Sequence, residues 1–278
     1  MKITVLIDNN TLIDRYFIGE PGVSYFIEAD GIKVLFDVGY SDAFIKNAGK
    51  LSINLCDIDF LVLSHGHLDH TWGLTPLIRL YTESIIEGHN IKKPTLVSHP
   101  QTFSSKSVDG IPEIGVINSV DQISKFFNTN LSKKPVILSP NLIFLGEIER
   151  TNDFEAKIPV GKTVENGTEK DDLLFDDSAL VYKSNKGLII ITGCSHSGIC
   201  NIVQYAQKVC KTDKVIDIIG GFHLLNPPER QLKGTIDLMK RLNPDSVHAC
   251  HCTDLKSKIE LAKVMNLEEV GVGMEVGY

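Results

Sequence analysis

The chain of 278 residues is 42% hydrophobic and 23% charged, with a formal net charge of −7 and a pI near 5.7, a composition that suits one sizeable domain with its own core. Its acidity argues against a surface built to neutralise nucleic-acid phosphates. No apolar run approaches the roughly 20 residues that span a bilayer, and MKITVLIDNN lacks the apolar stretch of a secretory signal, so a soluble cytoplasmic protein with reduced cysteines and no membrane partner is expected.

In chain order, ITVLID, SYFIEA and KVLFDVG read as strands, the last two joined by Asp30-Gly31, which tolerate the positive φ of a tight hairpin. The amphipathic stretch SDAFIKNAGKL leads into FLVLSH, an apolar run of the kind buried on both faces of a sheet. Helical spacing over 74–87 and 121–127 brackets TLVSHP, another buried strand that stops at Pro100. From 128 to 175 the chain turns polar and turn-rich around a strand at NLIFLGEI, and this stretch reads as an insertion or lid.

Order resumes with SALVYKSNKGLIIITGCSH, two strands across Asn185-Lys186-Gly187, followed by a helix at NIVQYAQKVC. The strand and helix pairing repeats at KVIDIIGGFHLL with a helix near 229–241, and at DSVHAC with a helix near 255–265. Each half thus carries sheet first and helices after. The expected fold class is α/β (α+β), an αββα four-layer sandwich of two stacked sheets with helices outside, as a single domain over 1–278.

Chemistry concentrates in Ser64-His65-Gly66-His67-Leu68-Asp69-His70, which crowds three imidazoles and a carboxylate at the end of a buried strand. Imidazole suits Zn and Fe, and a carboxylate adds charge and hardness, so this set can hold two divalent ions close together, with Zn, Mn, Fe or Mg as candidates. Gly66 is expected to let the backbone bend sharply between ligands. There is no CxxC pair, so the metal relies chiefly on His and carboxylate.

A dinuclear site needs further ligands, and His196 in GCSHSG and His251 in ACHC, each just after an apolar strand, are preferred to His89 in the polar run EGHN. His223 in GGFHLL either touches substrate or donates a supporting hydrogen bond. The planar fork of Arg150 suits a substrate phosphate. His99 and His248 read as structural. Trp72 is expected to pack against the sheet, and Cys250 and Cys252, if their strand continues past His251, face away from it as packing residues.

SHGHLDH resembles the HxHxDH signature of the metallo-β-lactamase superfamily, and LFDVG is similar to that superfamily's earlier Asp-containing turn. The resemblance covers essentially the whole chain and implies the same sandwich. It places Cys194 where the superfamily often has a bridging Asp, so Cys194 either binds metal as thiolate or fills space as a small apolar group. The superfamily's intervening histidine has no clear counterpart in FDDSALV, which offers Asp177 in its place.

More narrowly, TVLIDN, SHGHLDHTWGL, SHPQTF, DDSAL, ITGCSHSGICN, GGFHLL and HCTD resemble the archaeal and bacterial subfamily that includes the 7,8-dihydropterin-6-methyl-4-(β-D-ribofuranosyl)-aminobenzene-5′-phosphate synthase of methanopterin biosynthesis. The resemblance implies a metal-dependent enzyme acting on a phosphorylated small molecule, with transfer of an alkyl group from a diphosphate ester to an aromatic acceptor. Asp69 then serves both as metal ligand and as proton acceptor. The alternatives are a metal-dependent phosphoester hydrolase and a non-catalytic or redox-linked metal module. The sequence leaves the oligomeric state open.

Overall fold

The computed structural model describes residues 1–165 and 167–278. The first half runs β1 (Lys2–Ile7), β2 (Ser24–Ala29), β3 (Ile32–Phe36), α1 (Ala43–Lys50), β4 (Phe60–Val62), α2 (Leu68–Thr71), α3 (Leu74–Ile86), β5 (Thr95–Ser98), β6 (Lys106–Ser107), α4 (Val120–Ile123) and β7 (Asn128–Leu131). The second runs β8 (Val136–Ile137), β9 (Leu142–Phe144), β10 (Lys162–Glu165), β11 (Thr168–Asp171), β12 (Ala179–Lys183), β13 (Leu188–Thr192), α5 (Ile199–Cys210), β14 (Val215–Gly221), α6 (Glu229–Leu242), β15 (His248–Cys250), α7 (Leu255–Ala262) and β16 (Glu275–Gly277).

Two large sheets result, in the orders β16-β1-β2-β3-β4-β5-β7 and β15-β14-β13-β12-β9-β8. Alternation along the strands explains how they stack. In β12 and β13, Leu180, Tyr182, Ile189 and Ile191 join Tyr25, Ile27, Val34 and Phe36 of the first sheet in one core between the sheets. The intervening Val181, Leu188 and Ile190 pack outward against α5 and α6, on Ile202, Val203, Ala206, Leu238 and Met239. On the other face, Leu35, Leu61 and Leu96 pack against Phe44, Leu74, Leu77 and Tyr81 of α1 and α3. Strands buried on both faces must be apolar throughout, which is why LIIIT in β13 is fully buried. The four-layer αββα sandwich is therefore the observed architecture.

Within the polar stretch 128–175, β7 extends the first sheet and β8 and β9 edge the second. The hairpin of β10 and β11 pairs instead with β6, forming a separate three-stranded sheet. No described helix is long and apolar enough to cross a membrane.

Parallel pairing positions the chemistry. Strand β4 runs parallel to β3 and β5, and β13, β14 and β15 run parallel to one another, so each group delivers its carboxyl-end loops to one edge, where functional side chains collect. Phe144 is fully buried between the sheets. Phe144→Ala is expected to lower unfolding free energy by about 3–5 kcal/mol, read as a lower urea midpoint at unchanged m-value.

Candidate metal centre

Asp37 follows β3, Ser64 and His65 follow β4, Cys194 and His196 follow β13, His223 follows β14 and His251 follows β15. Several of these turns carry a non-glycine residue in the left-handed region: Asp37 at φ 55, Ser195 at 63, His223 at 50 and His251 at 50. Such conformations cost free energy and persist where surrounding structure over-determines them. The loops are therefore held in place rather than relaxed.

The histidines far apart in sequence do converge. His65, His67 and His196 lie with ring centroids 4.7–4.8 Å apart pairwise, and His70 and His251 lie 5.1 Å apart. Two niches follow. In one, Asp69, His70, Cys194 and His251 each present a ligand atom within 4.8 Å of the others. In the other, His65, Cys194 and His196 do the same, and Cys194 belongs to both. The Cys194 Sγ stands 3.2 Å from His70 Nε2 and 3.1 Å from His251 Nε2.

The donor set fits divalent ions. The Nε2 atoms of His65 and His67, and both ring nitrogens of His196, are buried without a hydrogen-bond partner among the described residues. Unpaired buried polar atoms are costly and call for a ligand. Burial holds His65 and His196 well below the usual imidazole range, with neighbouring histidines adding to it, and lowers His67 to about 4. These rings are thus neutral lone-pair donors, as metal ligation requires.

The other niche has the opposite balance. Burial opposes a charge on His70, but Asp69 and Asp37 overcome it and raise that ring to about 9. The carboxylates that favour a proton there favour positive charge in the niche as well. Burial pushes the Cys194 thiol up, whereas a bound cation reverses such a shift, since a coordinating thiol is deprotonated outright.

Supporting groups orient the side chains of the niches. Asp37, fully buried, accepts from Ser64 N at 2.7 Å and Ser64 Oγ at 2.6 Å, and holds His70 Nδ1 at 2.7 Å, leaving Nε2 directed at the niche. Asp8 accepts from the backbone N of His251 at 3.0 Å, and Asn9 Oδ1 lies 2.9 Å from its Nδ1. Gly66 N donates to Asp176, which is ion-paired at 3.0 Å with the buried Lys106, itself 2.8 Å from Asp172. The motif itself does not announce Lys106, Asp172, Asp176 or Asp8; TVLIDN and DDSAL carry some of them with no spacing to suggest their role.

Some expectations change. Gly66 is not at positive φ; a Cβ there would lie 2.2 Å from the carbonyl oxygen of Thr102, so close approach, not bending, requires glycine. The strand β15 ends at Cys250, and the left-handed turn at His251 breaks the alternation that would have turned Cys252 away. Cys252 lines the same cavity as Asp69, Cys194 and His251 and accepts from His223 N at 3.3 Å, whereas Cys250 does pack in the core, 3.2 Å from Tyr25 Oη.

Asp177 is in neither niche. Its Oδ2 accepts from Ser197 N at 2.8 Å, bracing the loop that bears His196, and burial raises it to about 6. Arg150, expected to clamp a phosphate, donates instead to the carbonyls of Leu173 and Leu174 at 2.6 and 2.9 Å and lies over Phe175. Trp72 stacks on Tyr40 and donates to Gly115 O rather than packing on the sheet. His99 caps the turn at Gln101 and contacts Glu147, and His248 pairs with Asp217, both in structural roles. His223 stacks 4.3 Å from His196 and lines the cavity above the niches.

Comparison with known proteins agrees with this arrangement. Residues 18–199 match the family model described as the metallo-beta-lactamase superfamily. The chain is 33% identical over 271 residues, covering 93% of itself and 89% of its relative, to the 7,8-dihydropterin-6-methyl-4-(beta-D-ribofuranosyl)-aminobenzene-5'-phosphate synthase of Methanocaldococcus jannaschii. Among solved structures it resembles Tm1679, a metal-dependent hydrolase of the beta-lactamase superfamily, with TM-score 0.83 and 26% identity, covering 100% of this chain and 99% of that one. It also shares the fold of zinc-bound PqqB from Methylobacterium extorquens, with TM-score 0.59 and 11% identity over 100% of both chains.

Replacing Asp37 by Asn places a donor against His70 Nδ1 where an acceptor now stands. Asp37→Asn is expected to weaken divalent-metal binding about 10–100-fold, measured by competition with a chromophoric chelator.

Proposed function

Because the chain belongs to the metallo-beta-lactamase superfamily, we propose that it is a metal-dependent enzyme holding two divalent ions in the niches that share Cys194, and that it acts on a phosphorylated small molecule. His65, His67 and His196 serve one niche; Asp69, His70 and His251 serve the other. The observation that carries this reading is the pair of adjacent niches, one neutral and one acid-braced, opening into a single cavity of about 440 Å³. Divalent ions there supply Lewis acidity toward phosphate oxygens.

The protein's own groups do the rest. Burial opposes ionisation of Asp69, but His70 and His251 hold its carboxyl below the ordinary range, so it lines the cavity as a carboxylate, the form that can bind a cation or receive a proton. Its Oδ2 lies 3.4 Å from His251 Nε2, which keeps it pointed there. Leu68, Ile114 and Val160 line the same cavity and offer apolar surface to the non-reacting part of a substrate.

Two reactions suit this site. The identity to the synthase over most of the chain favours condensation of a dihydropterin methyl group with an aminobenzene ribofuranosyl phosphate: the bond to a departing diphosphate breaks, the bond to the acceptor forms, and the acceptor's proton passes to Asp69. The likeness to a metal-dependent hydrolase favours phosphoester hydrolysis. Incubation with the two condensation substrates is expected to release diphosphate and the joined product, whereas release of nitrophenol from nitrophenyl phosphates alone would assign hydrolysis. If metal-replete protein forms neither product, the reading is overturned.

Two outcomes test the roles assigned. Dialysis against a chelator is expected to abolish turnover, and stoichiometric divalent metal to restore it, followed with elemental analysis. Asp69→Asn is expected to reduce kcat by about 10²–10⁴, measured at saturating substrate and metal.

A further inference from the structure

The cavity above the niches does not end at the histidines. A second, more enclosed space of about 230 Å³ adjoins it, and the two share Val160, His196, His223 and Leu225 as lining. Phe154, Ile158, Pro159 and Pro227 make this annex largely apolar. An apolar cavity of about 150 Å³ takes a benzene ring, so the annex has room for one six-membered ring and a small substituent.

The walls are built before any ligand arrives. Glu155, buried behind them, accepts from Cys200 N at 3.0 Å and Asn201 N at 3.1 Å at the start of α5, and from Asn152 Nδ2 at 2.7 Å. The strap that carries Phe154, Ile158 and Pro159 is thereby pinned to a helix N-terminus, where a carboxylate is favoured. Rigid proline-bearing walls lose little freedom on binding a flat group.

Two features point to a ligand. Ile158 and Leu225, both lining the annex, are 74% and 70% exposed, leaving apolar surface in water beside a reactive centre. His196 is only 8% exposed and lines both spaces, with neither ring nitrogen bonded among the described residues. A metal-bound histidine normally gives its second nitrogen to a carboxylate or carbonyl, and among the described residues His196 has no such partner at the junction of the two spaces.

We infer that the annex is a ring-binding subsite, so that the substrate is a phosphate ester whose phosphate lies over the histidines and whose single aromatic ring enters the space between Ile158 and Leu225. The inference rests on the proposal that this site handles phosphorylated small molecules. It adds which part of the substrate confers selectivity and where.

Isothermal titration of the intact, metal-replete protein with phenyl phosphate and methyl phosphate tests it. Phenyl phosphate is expected to bind at least about tenfold tighter, from burial of the ring, and the Ile158→Ser/Leu225→Ser double variant is expected to bring the two dissociation constants to within about threefold. Both side chains are mostly exposed, so the core should survive; an unchanged Tm checks this. Equal affinities in the unsubstituted protein, or a ratio that the double variant leaves intact, would overturn the ring subsite while the phosphate reading stands. Binding of neither phosphate would remove the phosphate reading and the subsite with it.

Discussion

The centre depends on how closely the two sheets approach at one edge. A Cβ on Gly193, just past the end of β13, would stand 2.3 Å from Ser64 Oγ and 3.0 Å from Asp37 Oδ2, so the second sheet rests directly on the buried carboxylate that organises the first. Asp37 in turn holds Ser64 and His70. This contact brings Cys194 within reach of His70, although 124 residues separate them. Any side chain at position 193 would force the seam apart, and the two halves of the candidate ligand set would part with it.

The two niches divide the electrostatic work. Burial keeps the cluster of His65, His67 and His196 uncharged, because imidazolium ions so close together would repel without compensation. The second niche gathers carboxylates instead, Asp69 beside the ligand atoms and Asp37 behind His70. An ion in each would face a different field, one set by neutral nitrogen and the other by negative oxygen. Such asymmetry suits chemistry in which one position binds and orients while the other stabilises developing negative charge.

The same stretch of chain braces the centre and walls its annex. Between β9 and β12 the chain contributes Lys106's two acidic partners, Asp172 and Asp176, which tie down the turn through Gly66, and it contributes Glu155, which pins the strap. These are buried acidic side chains, tolerated because each is paired or capped by backbone N–H groups. A polar segment that looks expendable by composition is thus anchored beside the candidate centre by its acidic side chains.

Much was legible in the residues alone. The motif from His65 to His70 declared metal chemistry by density of ligands, and alternating apolar runs such as LIIIT declared strands buried on both faces, because both are local patterns that depend on neighbours in sequence. The apolar strands preceding His196 and His251 also marked those two residues as loop-end candidates. What the pattern did not reach is the sharing of Cys194 between niches, the bracing by Asp8 from 243 residues away, the turning of Cys252 into the cavity by a left-handed His251, and the diversion of Arg150 to backbone carbonyls. Those follow from strand register and the packing of one sheet on another, which are set by contacts summed over the whole core, so only the tertiary structure decided them.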